Sequence, residues 1–277
     1  MRTVVLLIVF VIANRVCQAQ PTSEVTKAEL SFARTAREQG PKMAFLQYAD
    51  SQGVVFAGGK PRNALKSWKA LPDQSFTLWW HPAFAGIAAS GDFGFTTGPF
   101  YWRAAAPDTA TSFGHYSTVW YKNAAGQWKF LADIGINYAT SLYEQQTLQE
   151  LPGSQLTAAP TVSPRSLVDT IALMPEQDFI DHYRREGILA FGAVTTPATW
   201  FNLEGVHPVT KVQDVAAALR RVPAGLHFTP LAAGMAASRD MAYVYGTVTH
   251  NNKTENYLRV WGHTPAGWKL LLQVLKW

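Results

Sequence analysis

The sequence predicts an α+β fold built as two tandem cone-shaped units, each a curved antiparallel sheet packed on N-terminal helices. Three observations predict it. Helical patterns precede strand patterns, and that order occurs twice. An aromatic hairpin pattern at 115–138 returns at 256–277. A stretch with three prolines among small polar residues, 151–166, lies between the two occurrences and reads as part of a linker.

In the first unit, Thr22 or Ser23 can cap a helix through Val25, Ala28, Glu29, Phe32, Ala33 and Ala36, which Gly40-Pro41 ends. Met43 to Tyr48 reads as a second helical segment and Gly53 to Phe56 as a short strand. Gly58-Gly59-Lys60-Pro61 reads as a turn. Asn63 can cap a helix through Leu65, Trp68 and Leu71. Strands follow at Phe76 to Trp80, Ile87 to Ala89, Phe93 to Thr97 and Gly98 to Arg103, with a small-residue loop over 104–111. The hairpin closes the unit, its two arms flanking Asn123-Ala124-Ala125-Gly126. A strongly twisted sheet wrapped on helices makes a cone, whose open end is a natural pocket.

The second unit repeats the first. Phe179 answers Phe32, Gly187 answers Gly40 and Pro208 answers Pro61, each 147 residues on. Ala88-Ala89-Ser90-x-Asp92 returns as Ala236-Ala237-Ser238-x-Asp240, and Gly98 as Gly246, 148 on. Tyr116, Val119, Trp120, Trp128 and Lys129 return as Tyr257, Val260, Trp261, Trp268 and Lys269, 140 to 141 on. Spacing held over a hundred residues marks a domain duplication, with too long a period for a solenoid. The expected boundaries are 1–19 for a leader, 20–143 for the first unit, 144–166 for the linker and 167–277 for the second unit.

The leader reading rests on Arg2, the apolar run Val4 to Ala13, and small residues before a cleavage point after Ala19. The run is too short to span a bilayer. The expectation is an exported protein, periplasmic or secreted, with no membrane contact after cleavage. Cys17, the one cysteine of the chain, leaves with the leader. Thiol nucleophiles, thiolate metal sites and disulfides are then excluded. Removing Arg2 and Arg15 as well leaves 22 basic residues against 19 acidic, a balance of +3, with no basic run, so no nucleic-acid partner is expected. No G-x-S-x-G, P-loop or dinucleotide fingerprint occurs, and the histidines lack metal-ligand spacing. No cofactor and no metal are expected.

The motifs G-V-V-F, T-G-P-F-Y-W and G-H-Y-S-T-V-W-Y-K…G-Q-W-K-F-L-A-D-I-G-I resemble the nuclear transport factor 2-like superfamily, and within it the SnoaL-like branch of unassigned function. The resemblance covers Ala28 to Tyr138 well and Glu176 to Trp277 chiefly through the hairpin. It implies a cone shared by isomerases, dehydratases, cyclases, pocket-binding proteins and association modules. The enzymes among them use a pocket Asp or His with Tyr or Trp helpers. Members pair through the outer sheet face, so the two copies here would pair with each other or with another chain.

Differences between the copies point to the first as the functional one. His115 corresponds to Asn256, and Asp133 to Gln273. Asp133, between Ala132 and Ile134, would have its pKa raised by burial and could serve as a general base, or it accepts backbone hydrogen bonds near a strand end. His115 is a pocket acid/base or a histidine at the solvent edge. If Lys122 faces Gln127 across the turn, Tyr116 faces Asp133 and His115 points away; a bulge would bring His115 round instead. Trp79, Tyr101 and Trp102 occur in the first copy alone and would line a ligand pocket, with His81 at its mouth or in a turn. Asp92 and Asp240 read as turn residues. Three functions stay open: binding of a small, largely apolar ligand in the first unit; a cofactor-independent isomerase, dehydratase or cyclase using Asp133 with Tyr116 or His115; or a non-catalytic interaction module.

Overall fold

A computed structural model describes residues 23–72, 76–104, 112–160 and 168–277. The leader 1–19, nearly all of the 104–111 loop and the end of the linker lie outside the described residues.

Helix α1 (Glu24–Gln39) is capped by Ser23, whose hydroxyl accepts from the Thr26 N–H. It ends where Gly40 takes φ +90°, a conformation that a side chain would strain. Pro41 then opens α2 (Pro41–Tyr48), where its missing N–H costs nothing. Strand β1 (Ala49–Ala57) is longer than the predicted 53–56, and the expected turn shrinks to Gly58-Gly59, because Lys60–Asn63 pairs back on β1 as β2. Asn63 caps α3 (Ala64–Ala70) by accepting from the Lys66 N–H at 2.9 Å.

The remaining strands are β3 (Phe76–Trp80), β4 (Phe84–Ile87), β5 (Phe93–Ala104), β6 (Ser112–Lys122), β7 (Trp128–Tyr138) and β8 (Gln149–Glu150). The predicted strand at 87–89 sits earlier, with Ala88 and Ala89 leading into a turn. The two predicted strands 93–97 and 98–103 are one. The sheet order is β2-β1-β7-β6-β5-β4-β8, with β3 beside the far end of β5. It is mixed, not purely antiparallel: β1 runs parallel to β7, and β8 parallel to β4. These pairs join segments far apart in sequence, which no hairpin turn constrains to run antiparallel.

The second unit repeats the plan with α4 (Val168–Glu186), α5 (Ala190–Val194), β9 (Trp200–Leu203), α6 (Val212–Leu219), β10 (His227–Met235), β11 (Met241–His250), β12 (Lys253–Thr264) and β13 (Gly267–Leu275). Its sheet order is β10-β11-β12-β13-β9, and β9 is again parallel to its neighbour.

Each sheet buries one face on its own helices, through Phe32, Phe45, Trp80 and Trp120 in the first unit and Phe179, Phe191, Phe228 and Trp261 in the second. The other two faces bury against each other in a shared core that includes Phe84, Phe95, Val119, Ile134, Leu258 and Leu272. The packing relates equivalent residues. Ser90 and Ser238, which occupy the same position in the two copies, meet with their hydroxyls 2.9 Å apart. The Ala89 N–H donates to Asp240 across the same point at 2.9 Å. Such self-contact of one patch is the mark of a two-fold arrangement, here within one chain. At the centre lies a small polar cluster, in which the Asn202 amide donates to Thr97 at 2.8 Å and to Ser117 at 3.0 Å. Residues 149–160 run along both units: Leu151, Leu156 and Ala159 are buried, and the Thr157 and Ala159 N–H groups donate to the carbonyls of His263 and Arg239.

Candidate functional site

The site is set by the register of β6 on β7. Lys122 pairs with Trp128, one residue on from the expected Gln127. A bulge at Leu131 then shifts the pairing once more, so Thr118 faces Asp133 and Tyr116 faces Gly135. Two one-residue shifts restore the original face, because side chains alternate with period two. Tyr116 and Asp133 therefore share the inner face as diagonal neighbours, and His115 stays on the outer one despite the bulge. The second copy has the same bulge, at Leu271, so the difference in hairpin length lies in the turn.

Between the helices and this inner face lies a cavity of about 560 Å³. Among the described residues, its walls include Phe32, Trp80, Phe100, Trp102, Tyr116 and Asp133, with the exposed Arg62 also on its lining. Its size is that of small-molecule sites.

The Asp133 carboxylate takes the Thr118 hydroxyl at 2.7 Å. Burial pushes its pKa up to about 6, with the Thr118 bond acting the other way. The expected set of backbone donors is replaced by this one side-chain donor. The Tyr116 hydroxyl is buried without a hydrogen-bond partner of sound geometry. Its pKa is held well above the ordinary range by burial first and the Glu29 charge second, while the Thr96 hydroxyl opposes both.

Glu29 stands behind this wall, wholly buried on α1. The indoles of Trp80 (2.6 Å) and Trp120 (3.0 Å) and the Thr96 hydroxyl donate to it. Burial raises its pKa to about 7, against the pull of those donors. The sequence pattern places Glu29 in a helix and assigns it no role. The signal was present, since Glu176 recurs 147 residues on, at the offset of Phe32 and Phe179.

Three predicted pocket residues lie elsewhere. On β3 and β5, Leu78, Trp80, Phe100 and Trp102 line the cavity, so Trp79 and Tyr101, one position out of phase, point to the other side. There they pack on each other at 5.3 Å between centroids, with Arg37 over Trp79 and Tyr143 beside Tyr101. His81 joins that group, its Nε2 against the Tyr143 carbonyl, and is not at the cavity mouth. Trp80 takes the place predicted for Trp79.

His115 is neither a pocket residue nor a solvent-edge one. It is fully buried between the sheets, stacked on Trp200 of the second unit. Tyr138 gives its hydroxyl proton to the Gly114 carbonyl, so His115 Nδ1 must donate to the Tyr138 oxygen at 3.2 Å. Nε2 is then bare and without a partner. Burial lowers the imidazole pKa well below its usual value and keeps it neutral.

In the second unit the equivalent space is filled. Arg259, the counterpart of Thr118, is wholly buried and donates to Gln273, the counterpart of Asp133, at 2.7 Å. It also pairs with Glu176, which takes the Trp261 indole at 3.2 Å. Its guanidinium lies 4.3 Å from the ring centres of Phe179 and Phe228 and 4.5 Å from that of Tyr257. Among the described residues no group of three or more His, Cys, Asp and Glu is placed to hold a metal ion, and no helix is long and apolar enough to cross a membrane.

No model of a protein family matches this chain, and no curated protein matches it. Solved structures do. A nuclear transport factor 2-like protein of unknown function from Shewanella oneidensis is 19% identical, over 40% of this chain and 94% of its own, with a TM-score of 0.33. A ketosteroid isomerase-like protein from Erwinia carotovora is 13% identical, over 42% and 95%, with a TM-score of 0.34. The CaMKII hub of S. rosetta is 20% identical, over 42% and 98%, with a TM-score of 0.32. Each of these matches spans about the length of one copy.

Proposed function

We propose that the protein binds a small, largely apolar ligand in the cavity of the first unit, with Asp133 at its polar end and the Tyr116 ring in its wall. One observation carries this reading: an aromatic-walled cavity of about 560 Å³ with the Asp133 carboxyl on its lining. A native mass spectrum of protein purified gently from its own host tests it. A retained molecule of defined mass, lost in Asp133→Asn, supports the reading; an empty wild type that also binds no member of a small apolar library in solution removes it.

A second reading has its own support. A carboxyl whose pKa sits near 6, on the same face as a phenol, suits proton abstraction beside a carbonyl. Asp133 would take the proton from carbon and Tyr116 would hydrogen-bond the developing enolate oxygen. This makes the first unit a cofactor-independent isomerase, dehydratase or cyclase. Solvent-deuterium exchange at the α-carbon of small cyclic ketones, read by NMR, checks it; exchange equal in wild type and Asp133→Asn overturns it. Export is carried by the leader pattern in 1–19. N-terminal sequencing of host-purified protein should begin at Gln20, and an intact Met1 would refute cleavage.

A further inference from the structure

The second unit contains its own answer to what such a space can hold. Phe32, Trp80, Tyr116 and Asp133 bound the first cavity, and their counterparts in the second unit are Phe179, Phe228, Tyr257 and Gln273. Those four hold the Arg259 guanidinium, three by ring faces and one by a hydrogen bond. In the first unit the arginine position is Thr118, which is buried and donates to Asp133, and the cavity opens beyond it, along Phe32, Trp80, Tyr116 and Asp133.

Resting on the ligand-binding reading above, we propose that the first cavity takes a planar organic cation, a guanidinium or a comparable protonated nitrogen, attached to a small apolar group. The aromatic faces that hold a cation are retained, and Trp80 in place of Phe228 strengthens them, since indole is the best such surface. Asp133 supplies a carboxylate where the second unit has the neutral amide of Gln273. The apolar part would lie along Phe100 and Trp102.

A rival account exists in the same residues. Glu176 lacks two donors that Glu29 has, because Phe228 replaces Trp80 and Val244 replaces Thr96. Arg259 would then serve Glu176 alone, and a neutral ligand would suit the first cavity equally well.

Benzylguanidine and benzylurea separate the two, being close in shape and different in charge. Titration calorimetry on the full chain should show benzylguanidine binding saturably and at least tenfold more tightly than benzylurea, with the preference gone in Asp133→Asn. Thr118→Arg, which rebuilds the second unit's arrangement in the first, should abolish binding of both while the protein stays folded by circular dichroism. Equal affinity for the two probes in wild type overturns the cation and leaves the ligand-binding reading intact. Retained benzylguanidine binding in folded Thr118→Arg places the site elsewhere and also overturns the proposal. Failure of wild type to bind either probe overturns the proposal too; the ligand-binding reading falls with it only when the host-purified protein is also empty and no library member binds.

Discussion

The two units share a hairpin-centred sheet, the same bulge and a buried glutamate on the first helix, yet the space that is a cavity in one holds the Arg259 guanidinium in the other. The difference traces to a few substitutions around that glutamate. In the first unit Glu29 is answered by neutral donors, Trp80, Thr96 and Trp120, and position 118 is free to be a small threonine. In the second, Phe228 and Val244 offer no donor, and Arg259 supplies one while filling the cone. A buried carboxylate must be compensated wherever it sits. Which residue compensates it decides whether the cone has room for anything else.

The comparison breaks most readily at Arg259. Arg259→Ala leaves Glu176 buried without its cation and with the Trp261 indole as donor, and should cost about 3–5 kcal/mol of unfolding free energy, read by urea denaturation. Partial rescue of that loss by millimolar methylguanidinium would sharpen the point that the space is a cation site. A loss below about 1 kcal/mol would mean the arginine does not carry the core. The converse change, Thr118→Arg, should not show the cost of about 1–3 kcal/mol usual for overpacking, because the cavity receives the side chain.

The acid groups distinguish the copies by pH. Asp133 has its pKa raised from 3.8 to about 6, so its neutral form is favoured in the folded state. That contribution is present below about pH 4 and is lost as pH rises through 6, at a cost of about 3 kcal/mol by linkage. Asp133→Asn should therefore gain on wild type between pH 4 and 7, whereas Gln273→Asn in the second unit should change stability equally at both ends. Parallel thermal melts of Asp133→Asn and wild type across that range would contradict the buried-carboxyl account.

His115 has the opposite sign. Its folded pKa is depressed, so its contribution is present above about 6.5 and is lost as pH falls, by up to about 1.4 kcal/mol per pH unit. His115→Phe keeps the stack on Trp200, should differ from wild type by under about 1.5 kcal/mol at pH 8, and should flatten the acid limb of the stability curve. The smallest effect is expected at Trp79, which is 38% exposed and outside the cavity. Trp79→Ala should leave ligand affinity unchanged, while Trp102→Ala should weaken it; the reverse result would return Trp79 to the site.

The duplication, a cap at Thr22 or Ser23 and another at Asn63, the aromatic hairpins and a carboxylate at 133 where the second copy has an amide are all legible in the residues alone. These are local or periodic features, and local chemistry enforces them. Tertiary pairing places Trp80 and not Trp79 at the cavity, seals His115 between the two sheets and folds Arg259 into its own cone. Side chains on a strand alternate, so a single residue of register moves a group from one face to the other. That register is set by pairing between segments distant in sequence, by a bulge that no residue type announces, and by the opposing sheet that closes over the outer face. Glu29 shows the same limit from the other direction. Its recurrence as Glu176 was visible, but its meaning lay in which donors the folded sheet brought to each copy.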